Sequence, residues 1–98
     1  MSTSFSKLKW AVENAHNCSA KYAGKVTVHE KRNGSTRWYG LVYIFDLIGH
    51  PKANRAYVWA IDAFMGHEVQ LMTALQQGRI FSPEDAIRAA LDKIEGNE

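Results

Sequence analysis

The stretch Lys25-Val26-Thr27-Val28-His29-Glu30-Lys31-Arg32-Asn33-Gly34-Ser35-Thr36-Arg37-Trp38-Tyr39 decides the fold. Its first half alternates in period two, the pattern of a half-buried strand. Asn33-Gly34 then supplies the two residues that most readily take the left-handed backbone of a type I′ turn, whose twist matches the strands it joins. A two-residue turn also sets a register. Arg32 then opposes Ser35, Glu30 opposes Arg37, Val28 opposes Tyr39 and Val26 opposes Leu41 on one side of the hairpin. Lys31 with Thr36, His29 with Trp38, Thr27 with Gly40 and Lys25 with Val42 make the other side. The first side, continued by Tyr43 and Phe45, reads as the core face, with Glu30 and Arg37 neutralising each other near the turn.

Working outward, the loop Gly49-His50-Pro51-Lys52 leads to a third strand expected over residues 54–64. No two-residue turn fixes its register, so either Ala56, Val58, Ala60 and Phe64 (with Asp62) or Arg55, Tyr57, Trp59, Ile61 and Ala63 can face the core. Residues 67–77 carry good helix formers before Gly78, yet the spacing of Val69, Leu71 and Thr73 after a short connection favours a fourth strand of a meander. A helix over 6–16 precedes the hairpin: Phe5, Leu8, Val12 and Ala15 share a stripe, Ser6 can cap it, Phe5 can staple against Trp10, and Asn17 suits a left-handed stop. A second helix begins at Ser82-Pro83-Glu84-Asp85, a cap, a first-turn proline and two acids in order. Ile87, Ala90, Leu91 and Ile94 stripe it, and Gly96 ends it. The fold class expected is α+β: an N-terminal helix, an antiparallel sheet of three or four strands and a C-terminal helix, with both helices on one sheet face.

Ninety-eight residues make one domain, 1–98, with 1–4 and 96–98 as frayed ends. Apolar residues at 46% and charged residues at 22% exclude a disordered chain. The apolar runs, Leu41–Phe45 and Ala56–Ile61 among them, are far short of the roughly 20 residues that span a bilayer. The first residues lack a secretory pattern, so the expected setting is cytoplasmic and away from membranes. A net charge of +2, with its cations scattered, permits a nucleic-acid partner without demanding one.

Candidate chemistry is sparse. No H-x-x-x-H, H-E-x-x-H or C-x-x-C spacing occurs, so no metal is expected; no glycine-rich phosphate loop occurs, so no cofactor is expected. His50 follows Asp46 by four residues, as a base follows its orienting carboxylate, but no Ser or Cys nucleophile is near. His16 and His67 read as helix-end and turn residues. Cys18 follows a helix C-terminus, whose dipole disfavours a thiolate. These residues give no constellation for an enzyme.

What remains is the second sheet face. Two helices cover one side of a small sheet, and the other would present His29, Trp38, Val42 and Ile44, joined in one register by Tyr57 and Trp59. An apolar patch of about 400 Å² left wet forgoes roughly 10 kcal/mol. It therefore calls for a cover: the chain's own loop or the 67–77 segment, a second copy, or a foreign protein. The leading expectation is a non-enzymatic binding module that self-associates as a homodimer through this face or a strand edge. The alternative is single-stranded nucleic acid on the same face, with Lys25, Lys31 and Arg55 meeting phosphates. A small-ligand or catalytic domain ranks last. The order helix, three strands, helix resembles the double-stranded-RNA-binding fold as topology. The residues depart from it, since Pro83, Glu84 and Asp85 stand where that family places lysines and Arg32-Asn33-Gly34-Ser35 replaces its Gly-Pro-x-His loop.

Overall fold

A computed structural model describes residues 5–61 and 70–94. Along the chain it forms α1 (Phe5–His16), β1 (Ser19–Arg32), β2 (Ser35–Ile48), β3 (Arg55–Ile61), β4 (Gln70–Leu75) and α2 (Pro83–Ile94). The strands lie in the order β1-β2-β3-β4 and each pairs antiparallel with the next, so the sheet is a meander. The 67–77 stretch thus contributes a strand, as its spacing suggested. The expected frayed ends, the end of the third strand at 62–64, His67 and the stop at Gly96 lie outside the described residues.

Local chemistry explains the element ends. Asn33 (φ 53°) and Gly34 (φ 80°) both take left-handed backbone at the hairpin turn. Asn17 (φ 53°) ends α1, and the Cys18 N–H reaches back to the Glu13 carbonyl at 3.3 Å. At α2, the Asp85 N–H donates to Ser82 Oγ (3.2 Å) while Asp85 Oδ2 accepts from the Phe81 N–H (3.0 Å). That reciprocal pair satisfies two otherwise orphaned donors and stabilises the helix start by about 1 kcal/mol.

The register departs from the one the turn implies. Arg32 opposes Ser35 and Lys31 opposes Thr36, as expected, but Glu30 then opposes Trp38 because Arg37 is an extra residue on β2. Beyond this bulge every pair slips by one: His29 meets Tyr39, Val28 meets Gly40, Thr27 meets Leu41 and Val26 meets Val42. A one-residue slip exchanges the faces of a strand. A second irregularity at Ala23, beside Gly24 (φ 149°), exchanges them again on β1. Ala20 and Tyr22 therefore share a face with Phe45 and Leu47, whereas Val26, Val28 and Glu30 share one with Trp38, Val42 and Ile44.

Two buried clusters result, one on each side of the sheet. Leu8 and Val12 of α1 pack on Ala20, Phe45, Leu47, Ala53, Ala56 and Val58. Ala86 and Ile87 of α2 pack on Val28, Val42, Tyr57 and Trp59. The expectation that both helices share one face does not hold. The sheet is apolar on both sides, and each helix covers one of them. The expected single core of Val26, Val28, Leu41, Tyr43 and Phe45 is likewise divided, the valines lying towards α2 and Tyr43 and Phe45 towards α1. On α1 the buried stripe narrows to Leu8 and Val12: Phe5 leans edge-on against Tyr22 at 5.0 Å, Ala15 is exposed, and Trp10 stays 65% exposed.

Candidate functional site

Each residue of the expected interaction surface has a definite place. Val42, Tyr57 and Trp59 are buried under α2, and Trp38 and Ile44 are packed, half-buried, against the same cluster. The Trp38 indole lies over Gly40 so closely that a Cβ there would come within 2.9 Å of it. These five residues form a core, and the cover is the chain's own α2. His29, separated from Trp38 by the slip at Arg37, lies on the opposite face. Arg55 belongs to the α2 side and donates to Asp46 Oδ1 at 3.1 Å, so it is not grouped with Lys25 and Lys31.

The hairpin is clamped to α2 by charge. Glu30, buried beside Val28, accepts from Arg88 Nε (2.9 Å) and Nη2 (3.3 Å) and lies 3.9 Å from Arg37 Nη1. Arg37 in turn donates to Asp92 at 3.1 Å. Bonding to Glu30 pushes the Arg88 pKa up further, so this guanidinium stays charged at any physiological pH. Because the bulge residue Arg37 is turned inward, the anchoring charges are gathered on the α2 side.

The opposite side of the same hairpin is open. α1 crosses the end of the sheet that holds Ala20, Phe45, Leu47, Ala56 and Val58. Beyond it, towards the hairpin turn, β1 presents Lys25, Thr27, His29 and Lys31 while β2 presents Thr36, Tyr39, Leu41 and Tyr43. Tyr39 is 67% exposed and Leu41 is 40% exposed, both large for sheet residues. The His29 ring stands edge-on to Tyr39 at 5.2 Å and is tied through Nε2 to Thr36 Oγ1 at 2.7 Å, which fixes its place in the face. Towards α1 the stripe continues through Tyr43 to Tyr22, Phe45 and Phe5, whose rings lie 5.0 to 5.8 Å apart. None of the eight residues on this face is acidic. Among the described residues Lys25 and Lys31, like Lys21, Lys52, Arg79 and Lys93, have no ion-pair partner, whereas Lys9 and Arg55 have one each and Arg37 and Arg88 two each.

The turn alone places Tyr39 and Leu41 in the core. The bulge that moves them out carries no glycine and leaves no mark in the sequence. One signal was present: the run Leu41–Phe45 is apolar without alternation, as in a strand covered on both faces.

The remaining polar groups are engaged locally. His50 Nδ1 accepts the Lys52 and Ala53 amides at 3.0 and 3.1 Å and Asp46 holds Arg55, so the two do not form a base with its orienting carboxylate. They border an open polar cleft of ≈ 440 Å³ between the β2–β3 loop and Gln76. The Cys18 thiol is pushed up in pKa by burial and by the Glu13 carboxylate. Glu13 itself is held below the usual carboxylate range by Lys9 and the Ala20 amide, each 2.9 Å away. Among the described residues no three His, Cys, Asp or Glu side chains gather as metal ligands, and no helix is long and apolar enough to cross a membrane. Compared with protein-family models, curated proteins and solved structures, the chain matches none.

Proposed function

We propose that this domain is a non-enzymatic binding module whose ligand is single-stranded nucleic acid, held on the open face of the β1–β2 hairpin. The observation that carries the reading is the company Tyr39 keeps: an exposed ring, braced edge-on by His29, between two uncompensated lysines on a face without a carboxylate. Bases stack on such rings whatever their sequence, at about 1–3 kcal/mol each, and lysines alongside meet the phosphates. Lys25 and Lys31 belong to the reading as the sequence suggested. Arg55 does not, and Tyr39 and Leu41 replace the tryptophans. A cytoplasmic setting suits it, since a lone thiol needs no oxidising compartment.

Fluorescence anisotropy with a labelled homopyrimidine strand, titrated over a range of salt, tests the reading. Two phosphate contacts give a slope of log affinity against log salt of about −1.4. Replacing Lys25 and Lys31 together by Gln should flatten that slope, and Tyr39→Ala should weaken binding at every salt concentration by roughly tenfold. Absence of binding at low salt, or binding indifferent to all three residues, would overturn it. A protein partner on the same face would instead give an affinity that changes little with salt.

A further inference from the structure

The two edges of the sheet are built differently. β1, at one edge, carries Lys21, Lys25, Lys31 and Arg32 and is broken by the irregularity at Ala23. Cations and bulges on an edge oppose pairing with another strand. β4, at the other edge, reads Gln70-Leu71-Met72-Thr73-Ala74-Leu75, with no charge, no proline and an unbroken register against β3. Nothing in it guards against a further strand.

The directions of its backbone groups follow from two hydrogen bonds. The Gln76 N–H donates to the Arg55 carbonyl at 2.9 Å, which makes Arg55 and Gln76 a hydrogen-bonded pair of the β3–β4 ladder. Such pairs alternate in an antiparallel ladder. Ala74, Met72 and Gln70 therefore bond to β3, and Leu71, Thr73 and Leu75 turn their N–H and C=O groups outward. The Leu47 N–H to Asn54 carbonyl bond (2.8 Å) gives the same phase one strand further in, since Ala56 and Val58 must then bond towards β2. Thr73 and Leu75 front an open groove of ≈ 720 Å³, bordered by His16 of α1, by Gly78, Arg79 and Ile80, and by Ala89 of α2.

We propose that β4 pairs antiparallel with β4 of a second copy across a two-fold axis at Thr73, joining two sheets into one of eight strands. The sequence is self-complementary in that register. Thr73 meets Thr73 of the partner copy and Leu71 meets its Leu75, so all three outward residues pair. The Leu75 carbonyl already accepts from the Gln77 N–H at 3.0 Å, so four backbone hydrogen bonds form to free groups and the two donated by Leu71 share that carbonyl. Threonine pairs and aliphatic pairs are both favourable neighbours across strands, and a two-fold interface must present each residue to its symmetry mate. A foreign peptide could use the same donors, but nothing on the strand selects one, whereas a second copy matches it residue for residue. This pairing is independent of the nucleic-acid reading. Because the axis stands perpendicular to the sheet, it would place both open hairpin faces on the same side.

Light scattering behind size exclusion, from low micromolar to submillimolar protein, reads the outcome. The expected result is a mass rising towards twice that of the chain. Thr73→Pro should abolish the rise with little change in circular dichroism, because the lost N–H serves only the open edge and proline is tolerated there. Should that variant fail to fold, Thr73→Cys in a Cys18→Ser background decides. Facing cysteines on the axis have Cα atoms about 5.5 Å apart, within disulfide reach, and should oxidise to a covalent dimer, whereas Ala74→Cys should not. A monomer at every concentration overturns the proposal, even if an extended peptide binds the groove. A dimer undiminished in Thr73→Pro, or a Thr73→Cys variant whose thiol stays reduced, also overturns it.

Discussion

At Glu30 a carboxylate almost closed to water holds Arg88 through two bonds and faces Arg37, so its removal takes away the anionic partner of cations that hold the hairpin to α2. Breaking a buried pair from one side costs more than the pair itself contributes, because the remaining charge keeps its desolvation penalty. Arg88→Ala, which leaves the buried Glu30 carboxylate with Arg37 at 3.9 Å, should lower the unfolding free energy by about 3 kcal/mol, measured by urea denaturation, and Glu30→Ala by less, since Arg88 is half exposed and Arg37 keeps Asp92. Equal effects would mean that the clamp is no stronger than a surface pair. His16 makes a second case. Burial, and then the charge of His50 with its ring 6.4 Å away, push the His16 pKa below its ordinary value. A group whose folded pKa is lowered contributes its full stability above the unfolded pKa, near 6.5, and loses it as pH falls through the folded value. The stability difference between wild type and His16→Phe should therefore be constant above neutrality. Below about pH 6.5 it should shift in favour of the variant. A difference independent of pH would show that His16 is solvated after all.

The bulge at Ala23 is what lets one strand serve two cores. Before it, Ala20 turns towards α1; after it, Val26 and Val28 turn towards α2. Deleting Ala23 removes the extra residue and leaves Tyr22 opposite Phe45 and Ala20 opposite Leu47 in an unbroken ladder, so both keep the α1 side. The deletion should therefore cost no more than about 1 kcal/mol. Ala23→Ser, at an exposed position, should change stability by no more than about 0.5 kcal/mol. Chemical denaturation of both variants checks this; a large loss in the deletion alone would mean that the bulge itself, and not the facing of the residues around it, holds the strand in place. Element type was legible in the sequence because it depends on local rules: Asn33-Gly34, Asn17 and the Ser82–Asp85 cap each act within a few residues. The pairing of faces was not, because it depends on where a strand gains a residue, and Arg37 and Ala23 differ in no local way from their neighbours. That one gap moved the candidate site. His29, Lys25 and Lys31 were legible as surface residues, while Trp38 and Tyr39 exchanged roles through a slip of a single position.

For the molecule as a whole, the consequence is a sheet with two cores that do not touch except through its own backbone. Val12 belongs to the cluster under α1 and Ile87 to the one under α2, and among the described residues no side chain is common to both clusters. Truncating either to alanine should cost about 2–4 kcal/mol through lost burial and the cavity left behind. Mutations that share no partners across more than about 7–10 Å add to within 0.5 kcal/mol. The double variant, measured at a denaturant concentration where it still folds, should therefore lose the sum of the two single losses. Were both helices on one face, Val12 and Ile87 would line a common core and the double loss would depart from that sum by a kilocalorie or more. Additivity alone does not establish independent folding, since the strands are shared: each single variant should still unfold in one transition, with tryptophan fluorescence (Trp38 and Trp59 lie under α2) and far-ultraviolet circular dichroism tracing the same curve. Val12→Ala is the sharper of the two, because it wounds the side that holds neither of those tryptophans. If fluorescence from the α2 side followed a later transition than circular dichroism in that variant, the two faces would be separately stable layers on a common sheet. Coincident curves would mean that the sheet transmits the loss of α1 in full to the core beneath α2.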